Sequence, residues 1–187
     1  MPGALLPEVN GAPFPSADAQ AIQRLSTTGH WIVPIIGPNG PFDVLTFHAS
    51  PPVFDGPEDR NGKRNHDEIM LWLNVLAGEV GIAPAGPFVI AGDANLDPVD
   101  GSGIKAAIEA LLGAPALQDV APTGHFGTDT ADWDDPVPGD LRVDYVLPSI
   151  HWQVMDSGVL WPAPDDPMAG TVATASRHHL VWVDLAY

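Results

Sequence analysis

The chain has 187 residues, 45% of them hydrophobic, so it is long enough to bury a core of its own as a single domain. Cysteine is absent, which excludes disulfides and thiolate metal sites. With 24 acidic residues against seven lysines and arginines, the formal net charge is −17, which disfavours a long polyanion such as duplex DNA as a ligand.

Residues 1–29 are rich in turn-forming residues, and only 17–25 has helical character, so we expect a largely irregular lead-in. No stretch of the chain has the roughly 20 consecutive apolar residues that a membrane span needs, and the start lacks the features of a signal peptide. We therefore expect a soluble protein without a membrane partner, although these features do not indicate a compartment.

Two β-rich runs, 31–36 and 42–48, are separated by Gly-Pro-Asn-Gly, which predicts a β-hairpin. After a loop, apolar residues recur at helical spacing through positions 69, 72, 73 and 76. This spacing predicts a helix over 66–77, with Asn65 as its N-cap and Gly78 beyond its end.

An apolar run over 88–91 lies between a proline and a glycine, which predicts a strand over 87–92 that is buried on both faces. Helical spacing returns over 103–112, and residues 114–140 read as a loop. Further β-rich runs cover 141–147, 152–161 and 180–187. Mixed strands with interposed helices and long loops predict an α/β (α+β) fold, in one domain over 1–187.

Polar side chains stand at or near the ends of several predicted strands. Converging strand ends would bring two imidazoles, two carboxylates and a carboxamide together, and these groups can hydrolyse a phosphoester with the help of a metal ion. Taken alone, the Gly-Asp-x-Asn stretch is equally typical of a plain Asx-turn. The residues concerned are His48, Asp93, Asn95, Asp144 and His178.

Four stretches resemble, in order, the motifs of the endonuclease/exonuclease/phosphatase (deoxyribonuclease I-like) superfamily. The resemblance runs from about residue 30 to 187 and implies a deoxyribonuclease I-like αββα sandwich. The stretches are Thr46-Phe47-His48-Ala49-Ser50-Pro51, Gly92-Asp93-Ala94-Asn95, Arg142-Val143-Asp144-Tyr145-Val146 and Ser176-Arg177-His178-His179-Leu180-Val181.

This resemblance implies a metal-dependent phosphoester hydrolase, either a phosphodiesterase or nuclease or a phosphatase. His178 would be the catalytic histidine, Asp144 would orient it, and His48 would contact the scissile phosphate. Asp93 would position the attacking water, and Asn95 would bind a phosphate oxygen. Asp93 and Asn95 would also form part of a site for Mg²⁺, with Mn²⁺ as a second candidate metal. The net charge favours a substrate with a small or localised phosphate over duplex DNA.

Several of these residues have a second interpretation from the residues alone. His48 could merely cap a strand, and Asp144 could pair with Arg142 at a sheet edge. His178 and His179 are adjacent and would face opposite ways on a strand, so only one can enter the site. The motif selects His178.

The basic residues offer two candidates for substrate binding. Arg177 stands where the family has an aspartate of its metal site; a guanidinium cannot ligate a cation, but it can grip a phosphate with two hydrogen bonds. Arg60, Lys63 and Arg64 form a local positive patch, which could line a substrate groove or belong to a solvated loop.

The family's amino-terminal half, which supplies the glutamate that is the principal metal ligand, has no counterpart in the pattern of this chain. We therefore expect the chain to supply mainly the carboxyl-terminal half of the sandwich, with a partial metal site. Asp97 and Asp100 could add oxygen ligands, although turn formation is their more typical role. An exposed sheet face would pair with a missing half or with a second copy. The alternative function is a catalytically silent relative that acts as a binding or structural module.

Overall fold

Eight strands and four helices make up the computed structural model, which describes all 187 residues. None of the helices combines the length and the apolar character needed to cross a bilayer. In chain order the elements are β1 Glu8–Val9, β2 Ala12–Pro13, α1 Ala17–Ile22, β3 His30–Gly37, β4 Gly40–His48, α2 Arg60–Leu76, β5 Phe88–Asp93, α3 Ala106–Leu112, β6 Asp144–Pro148, β7 Gln153–Val159, α4 Ala169–Ala175 and β8 Val181–Ala186.

A four-stranded sheet in the order β3-β4-β5-β6 is the centre of the fold. Strands β3 and β4 form the predicted antiparallel hairpin, in which Gly37 pairs with Gly40 across a two-residue turn. Strand β4 runs parallel to β5, and α2 lies in the connection between them. Strand β6 is antiparallel to β5. This mixed α/β arrangement agrees with the fold class that the sequence predicts.

The core lies between one face of this sheet and helices α2 and α3. Leu45 of β4 and Ile90 of β5 are fully buried there, opposite Ile69 and Trp72 of α2. Each fully buried side chain of this kind stabilises the fold by roughly 1.5 to 3 kcal/mol relative to exposure. Hydrophobic burial on this face therefore anchors the sheet from which the polar strand ends project.

The helix predicted over 66–77 begins six residues earlier, at Arg60, and Asn65 is not its N-cap. Asp59 precedes the helix in a left-handed conformation and makes no side-chain capping bond. Asn65 instead lies fully buried inside the helix, where its Nδ2 donates to the carbonyls of Ser50 at 2.8 Å and Ala94 at 2.7 Å. Sequence spacing cannot reveal such a role, because the two acceptors come from distant loops.

Other boundaries also differ from those predicted. Strands β1 and β2 and helix α4 were not expected, and α3 begins at Ala106 rather than at 103. Strand β6 begins only at Asp144, because Leu141 forms an isolated bridge with Ala131 instead of extending the sheet. Strand β5 is buried over its first three residues and half-buried over its last three, so it is not covered throughout on both faces.

The sheet face opposite the helices is only partly covered. Strands β7 and β8 form a separate two-stranded sheet, which contacts the main sheet through β6. At the far edge, Trp31 and Val33 share a face with their cross-strand partners Thr46 and Val44, and they are 64% and 38% exposed. Exposed apolar side chains on an edge strand favour association.

We expect Asn65→Ala to lower the free energy of unfolding by about 2 to 3 kcal/mol, because it leaves two carbonyls in a buried setting without their donor. Urea unfolding followed by circular dichroism measures this change. Asn74→Ala is the matched control on the same helix, since the Asn74 side chain makes no hydrogen bond, and it should shift the value by less than about 0.5 kcal/mol. Equal losses in the two variants would contradict this role of Asn65.

We expect the open sheet face to pair with another chain or with a second copy of this chain. Light scattering coupled to size-exclusion chromatography should reveal concentration-dependent association of the wild-type chain. Replacing both Trp31 and Val33 by serine should reduce it, because both contribute exposed apolar surface. A wild-type chain that stays monomeric at all concentrations would argue against self-association.

Candidate active site

One row across the sheet brings together three of the predicted site residues. His48 pairs with Asp93 on the parallel strands β4 and β5, and Asp93 pairs with Asp144 on the antiparallel strand β6. Because paired residues on neighbouring strands share a face, all three side chains project from the same side of the sheet. The Nε2 of His48 lies 3.4 Å from an Asp93 carboxylate oxygen.

Gly92 is needed for this approach of β4 and β5. A Cβ atom at this position would stand 2.0 Å from the backbone oxygen of Phe47, which is far inside van der Waals contact. Any side chain here would push the two strands apart and displace Asp93 from His48. The Gly-Asp-x-Asn stretch therefore begins with glycine for a steric reason, because only a residue without a Cβ atom fits between β4 and β5.

Asp93 is mostly buried, with 16% of its side chain exposed. Burial, helped by the negative charge of Asp144, raises the pKa of Asp93 to about 6, while the backbone N–H of Asn95 and the nearby histidines act in the opposite direction. Two carboxylates this close repel each other when both are ionised. The pair therefore gains from any positive charge placed between them.

His178 reaches this row from the segment before β8. Its Nδ1 lies 2.9 Å from an Asp144 carboxylate oxygen, and this hydrogen bond raises the pKa of His178 against the opposing effect of burial. The Thr130 hydroxyl donates to the same carboxylate oxygen at 2.9 Å and accepts from the N–H groups of Val143 and Asp144. Asp144 is thereby held from two sides, and the Nε2 of His178 is left free of this pair.

Asn95 closes a turn on Asp93. Its backbone N–H and its Nδ2 both donate to the Asp93 carboxylate, and Nδ2 also donates to the carbonyl of Ala49. The residue has a φ of 49°, a left-handed value that asparagine tolerates better than most residues. Since both amide hydrogens are used, Asn95 has its side-chain oxygen to offer, which suits a cation better than a phosphoryl oxygen.

A cavity of about 650 Å³ opens over the row, and no lysine or arginine lines it. One part of its wall is polar and includes His48, Asp93, Asn95 and His178, whereas Asp144 does not line it. The other part is apolar, formed by Val53, Phe54, Trp133, Val137 and Leu141 with neighbouring prolines. Trp133 also packs edge-on against the His178 ring, with centroids 5.5 Å apart.

The structure does not bring the three candidate phosphate-binding arginines into this cavity. Arg177 donates to Asp134 at 3.1 Å and lies beside the Trp133 ring, so its guanidinium is already engaged. Arg60 and Arg64 line a separate cleft. The sequence suggested these two for a substrate groove because they form a local positive patch, but α2 carries them to that separate cleft.

Three polar residues near the site, Arg142, Asp97 and His179, have partners outside the catalytic row. Arg142 pairs with Asp119 and not with Asp144. Asp97 holds its own loop, because it accepts from the N–H groups of Val99, Asp100 and Arg142. His179 faces away from the site and stacks on Trp161 at 3.9 Å between ring centroids.

Sequence reasoning missed Thr130 and the apolar wall. Thr130 lies in a stretch with no periodicity, and its contact with Asp144 spans 14 positions. Trp133 and Phe54 were not considered, although a tryptophan in a polar loop and a Phe next to the histidine motif are unusual in solvated loops.

The residues present fit a divalent cation. Asp93, Asp144 and His178 bring potential ligand atoms within 4.8 Å of one another, and Asn95 adds its side-chain oxygen. Since His178 and Asp144 bond to each other, the oxygens of Asp93 and Asn95 are the ones left for a metal. Carboxylate and amide oxygens are the ligands that Mg²⁺ and Mn²⁺ prefer. Burial and the charge of Asp144 raise the pKa of Asp93, so they disfavour its ionised form. A bound cation would offset that electrostatic cost.

In the presence of chelator, we expect the stability of Asp93→Asn relative to the wild type to rise by about 2 to 3 kcal/mol between pH 4 and pH 8. The pKa of Asp93 rises from 3.8 to about 6 on folding, so its contribution to stability is present below about 3.8 and is lost as the pH rises through about 6. Asparagine carries no charge to repel Asp144. Chemical unfolding from pH 4 to 8 measures the difference, which should shrink towards pH 4.

Asp165→Asn, at an exposed aspartate outside the cavity, is the control and should show no such pH dependence. A stability difference for Asp93→Asn that is the same at every pH would contradict the proposed repulsion.

Solved structures with the same fold match most of this chain. An endonuclease/exonuclease/phosphatase family protein from Leptotrichia buccalis matches with a TM-score of 0.51 and 17% identity, over 83% of this chain and 52% of that one. The endonuclease/exonuclease/phosphatase from Beutenbergia cavernae matches with a TM-score of 0.58 and 20% identity, over 84% and 39%. A beta-hairpin deletion mutant of beta toxin from Staphylococcus aureus matches at 0.50 and 16%, over 67% and 45%.

The chain thus spans about half the length, or less, of these solved structures. A search of curated proteins found no significant match. The model of the Endonuclease/Exonuclease/phosphatase family matches residues 13–178 and so includes all five residues of the candidate site. The chain belongs to the endonuclease/exonuclease/phosphatase family.

Proposed function

We propose that this chain carries the catalytic centre of a metal-dependent phosphoester hydrolase. The observation that carries the proposal is the row His48–Asp93–Asp144, completed by His178 at 2.9 Å from Asp144. His48, Asp93 and His178 of this group line a cavity. Family membership supports the same class of activity.

In this proposal His178 is the general base. With Nδ1–H donated to Asp144, the Nε2 atom carries the lone pair and can accept a proton from a water aligned with the phosphorus. Asp144 fixes this tautomer and stabilises the imidazolium that forms. Thr130 keeps the Asp144 carboxylate in place throughout.

His48 and Asp93 complete the reacting face. His48 is the more exposed imidazole, with 57% of its side chain accessible, so it can reach a substrate phosphate and donate to its oxygen. Asp93, with Asn95 beside it, would hold the metal. A bound Mg²⁺ or Mn²⁺ would supply charge stabilisation at the phosphoryl oxygens.

The cavity lining favours a phosphoester with an apolar group and a single localised phosphate. A polyanion requires several lysines or arginines along its track, and none lines this cavity. The apolar wall around Phe54 and Trp133 is suited to an aryl or alkyl ester group instead. The chain's net charge of −17 points the same way.

A catalytically silent binding module is the second candidate, and one observation favours it. This chain has Arg177 at the position where the family motif has an aspartate. Arg177 donates to Asp134 and does not line the cavity. Metal titration by calorimetry separates the two functions. A silent module would bind neither Mg²⁺ nor Mn²⁺, whereas the hydrolase should bind at least one, and Asp93→Asn should weaken that binding.

We expect bis(4-nitrophenyl) phosphate to be hydrolysed with Mg²⁺ or Mn²⁺, and the activity to disappear with chelator. His178→Ala should lower kcat by about 10²- to 10⁴-fold, since it removes the general base. His151→Ala, at an exposed histidine outside the cavity, should retain activity. Duplex DNA should be cleaved poorly.

Activity that survives both chelator and His178→Ala would overturn the proposed chemistry. Efficient cleavage of duplex DNA would leave the chemistry intact but refute the substrate preference.

A further inference from the structure

A second cleft, of about 330 Å³, lies between the amino-terminal segment and helix α2. It shares no lining residue with the candidate active site. The Gln20 side chain holds the covering segment by donating to the carbonyls of Pro7 at 2.7 Å and Phe14 at 3.1 Å. These hydrogen bonds fix the segment that forms one side of the cleft.

Three of the chain's five arginines line this one cleft: Arg24, Arg60 and Arg64. The other two arginines, Arg142 and Arg177, are each paired with an aspartate elsewhere. In a chain of net charge −17, the three arginines that form no ion pair thus all lie in this cleft.

None of the three cleft arginines forms an ion pair or donates a side-chain hydrogen bond within the chain. The Nε of Arg60 is buried and has no partner. A buried donor without an acceptor costs about 1 to 3 kcal/mol in free energy, and more for a charged group. The folded chain thus carries a cost that an anion in the cleft would offset.

The carboxylate that lines the cleft, Asp67, makes no ion pair with these arginines, and Glu68 interacts with Arg64 only through its charge at longer range. Asp67 is 4% exposed, and its oxygens accept from the backbone N–H of Leu5 at 3.1 and 2.9 Å and face Nδ1 of His66 at 2.9 Å. Its lone pairs are used to hold the amino-terminal segment on α2. The guanidinium groups remain available to a ligand.

We propose that this cleft binds a small phosphorylated molecule that carries at least two negative charges. Guanidinium groups bind phosphate oxygens through paired hydrogen bonds, and three of them match a multiply charged oxyanion. Arg60 and Arg64 lie four positions apart on helix α2, so their side chains can reach the same side of the helix. Leu5, Leu6 and Leu25 give the cleft apolar walls for the rest of the ligand.

The size of the cleft and the charge of the chain select a small ligand. A volume of about 330 Å³ accommodates a small organic phosphate, and a nucleic acid would meet the strongly negative surface around it. This site is separate from the proposed hydrolytic centre, so it would bind its ligand even if the hydrolase proposal failed.

Calorimetric titration with pyrophosphate, in chelator and at low salt, tests the proposal. The wild type should bind, and Arg24→Gln and Arg60→Gln should each weaken binding by about tenfold or more. Arg24 is exposed and Arg60 is half-buried, so Arg24→Gln leaves the packing intact and keeps the test valid if Arg60→Gln misfolds. Arg177→Gln is the matched control and should bind as the wild type does, because Arg177 lies outside this cleft.

Two further measurements place the ligand. The Nε–H resonance of Arg60 should shift on titration with pyrophosphate, and His178→Ala should leave the affinity unchanged. Absence of binding by the wild type, equal affinity in Arg24→Gln, or loss of binding in His178→Ala would each overturn the proposal.

Discussion

The lateral register of strands β4, β5 and β6 is the constraint on which the candidate site depends. On the helix-facing side, Leu45, Ile90 and Leu147 are paired across the three strands, and all are fully buried. Three residues along each strand, on the opposite face, stand His48, Asp93 and Asp144. A slip of one residue would expose the apolar row and bury the polar one, so hydrophobic burial fixes the geometry of the polar groups.

The loops that complete the site are tied to this sheet by a few buried hydrogen bonds. Asn65 links α2 to the backbones at Ser50 and Ala94, which follow His48 and Asp93. Thr130 ties the long loop before β6 to Asp144. Polar groups buried in this way restrict the loops to one arrangement, because each broken bond leaves an unsatisfied group. The site is therefore held from both of its sides.

Charge is distributed unevenly over the molecule, so its two clefts favour ligands of different charge. The cavity over the polar row presents carboxylates and imidazoles without a lysine or arginine, and it is suited to a cation and a phosphoester with an apolar group. The cleft at the start of α2 presents three unpaired arginines and is suited to an anion. Both preferences arise within the same net charge of −17, which alone predicts neither.

Local patterns in the sequence determined much of the fold and the identity of the polar row. The hairpin follows from its turn residues and strand 88–93 from its apolar run, and the four motifs name His48, Asp93, Asn95, Asp144 and His178. These features depend on residues that are close in the sequence, so they can be recognised without knowing which distant residues they contact. That the chain is the carboxyl-terminal part of a larger sandwich stays a prediction.

Only the tertiary structure decided which side chains meet across long separations. Asn65 was predicted to cap helix α2, but it is buried and donates a hydrogen bond to the Ala94 carbonyl. Arg177 was predicted to bind phosphate, but it pairs with Asp134, 43 positions away. Arg60 and Arg64 lie on helix α2 and line a separate cleft instead of the expected substrate groove. A side chain's role depends on the partners that folding brings to it, and these partners leave no periodic trace in the sequence.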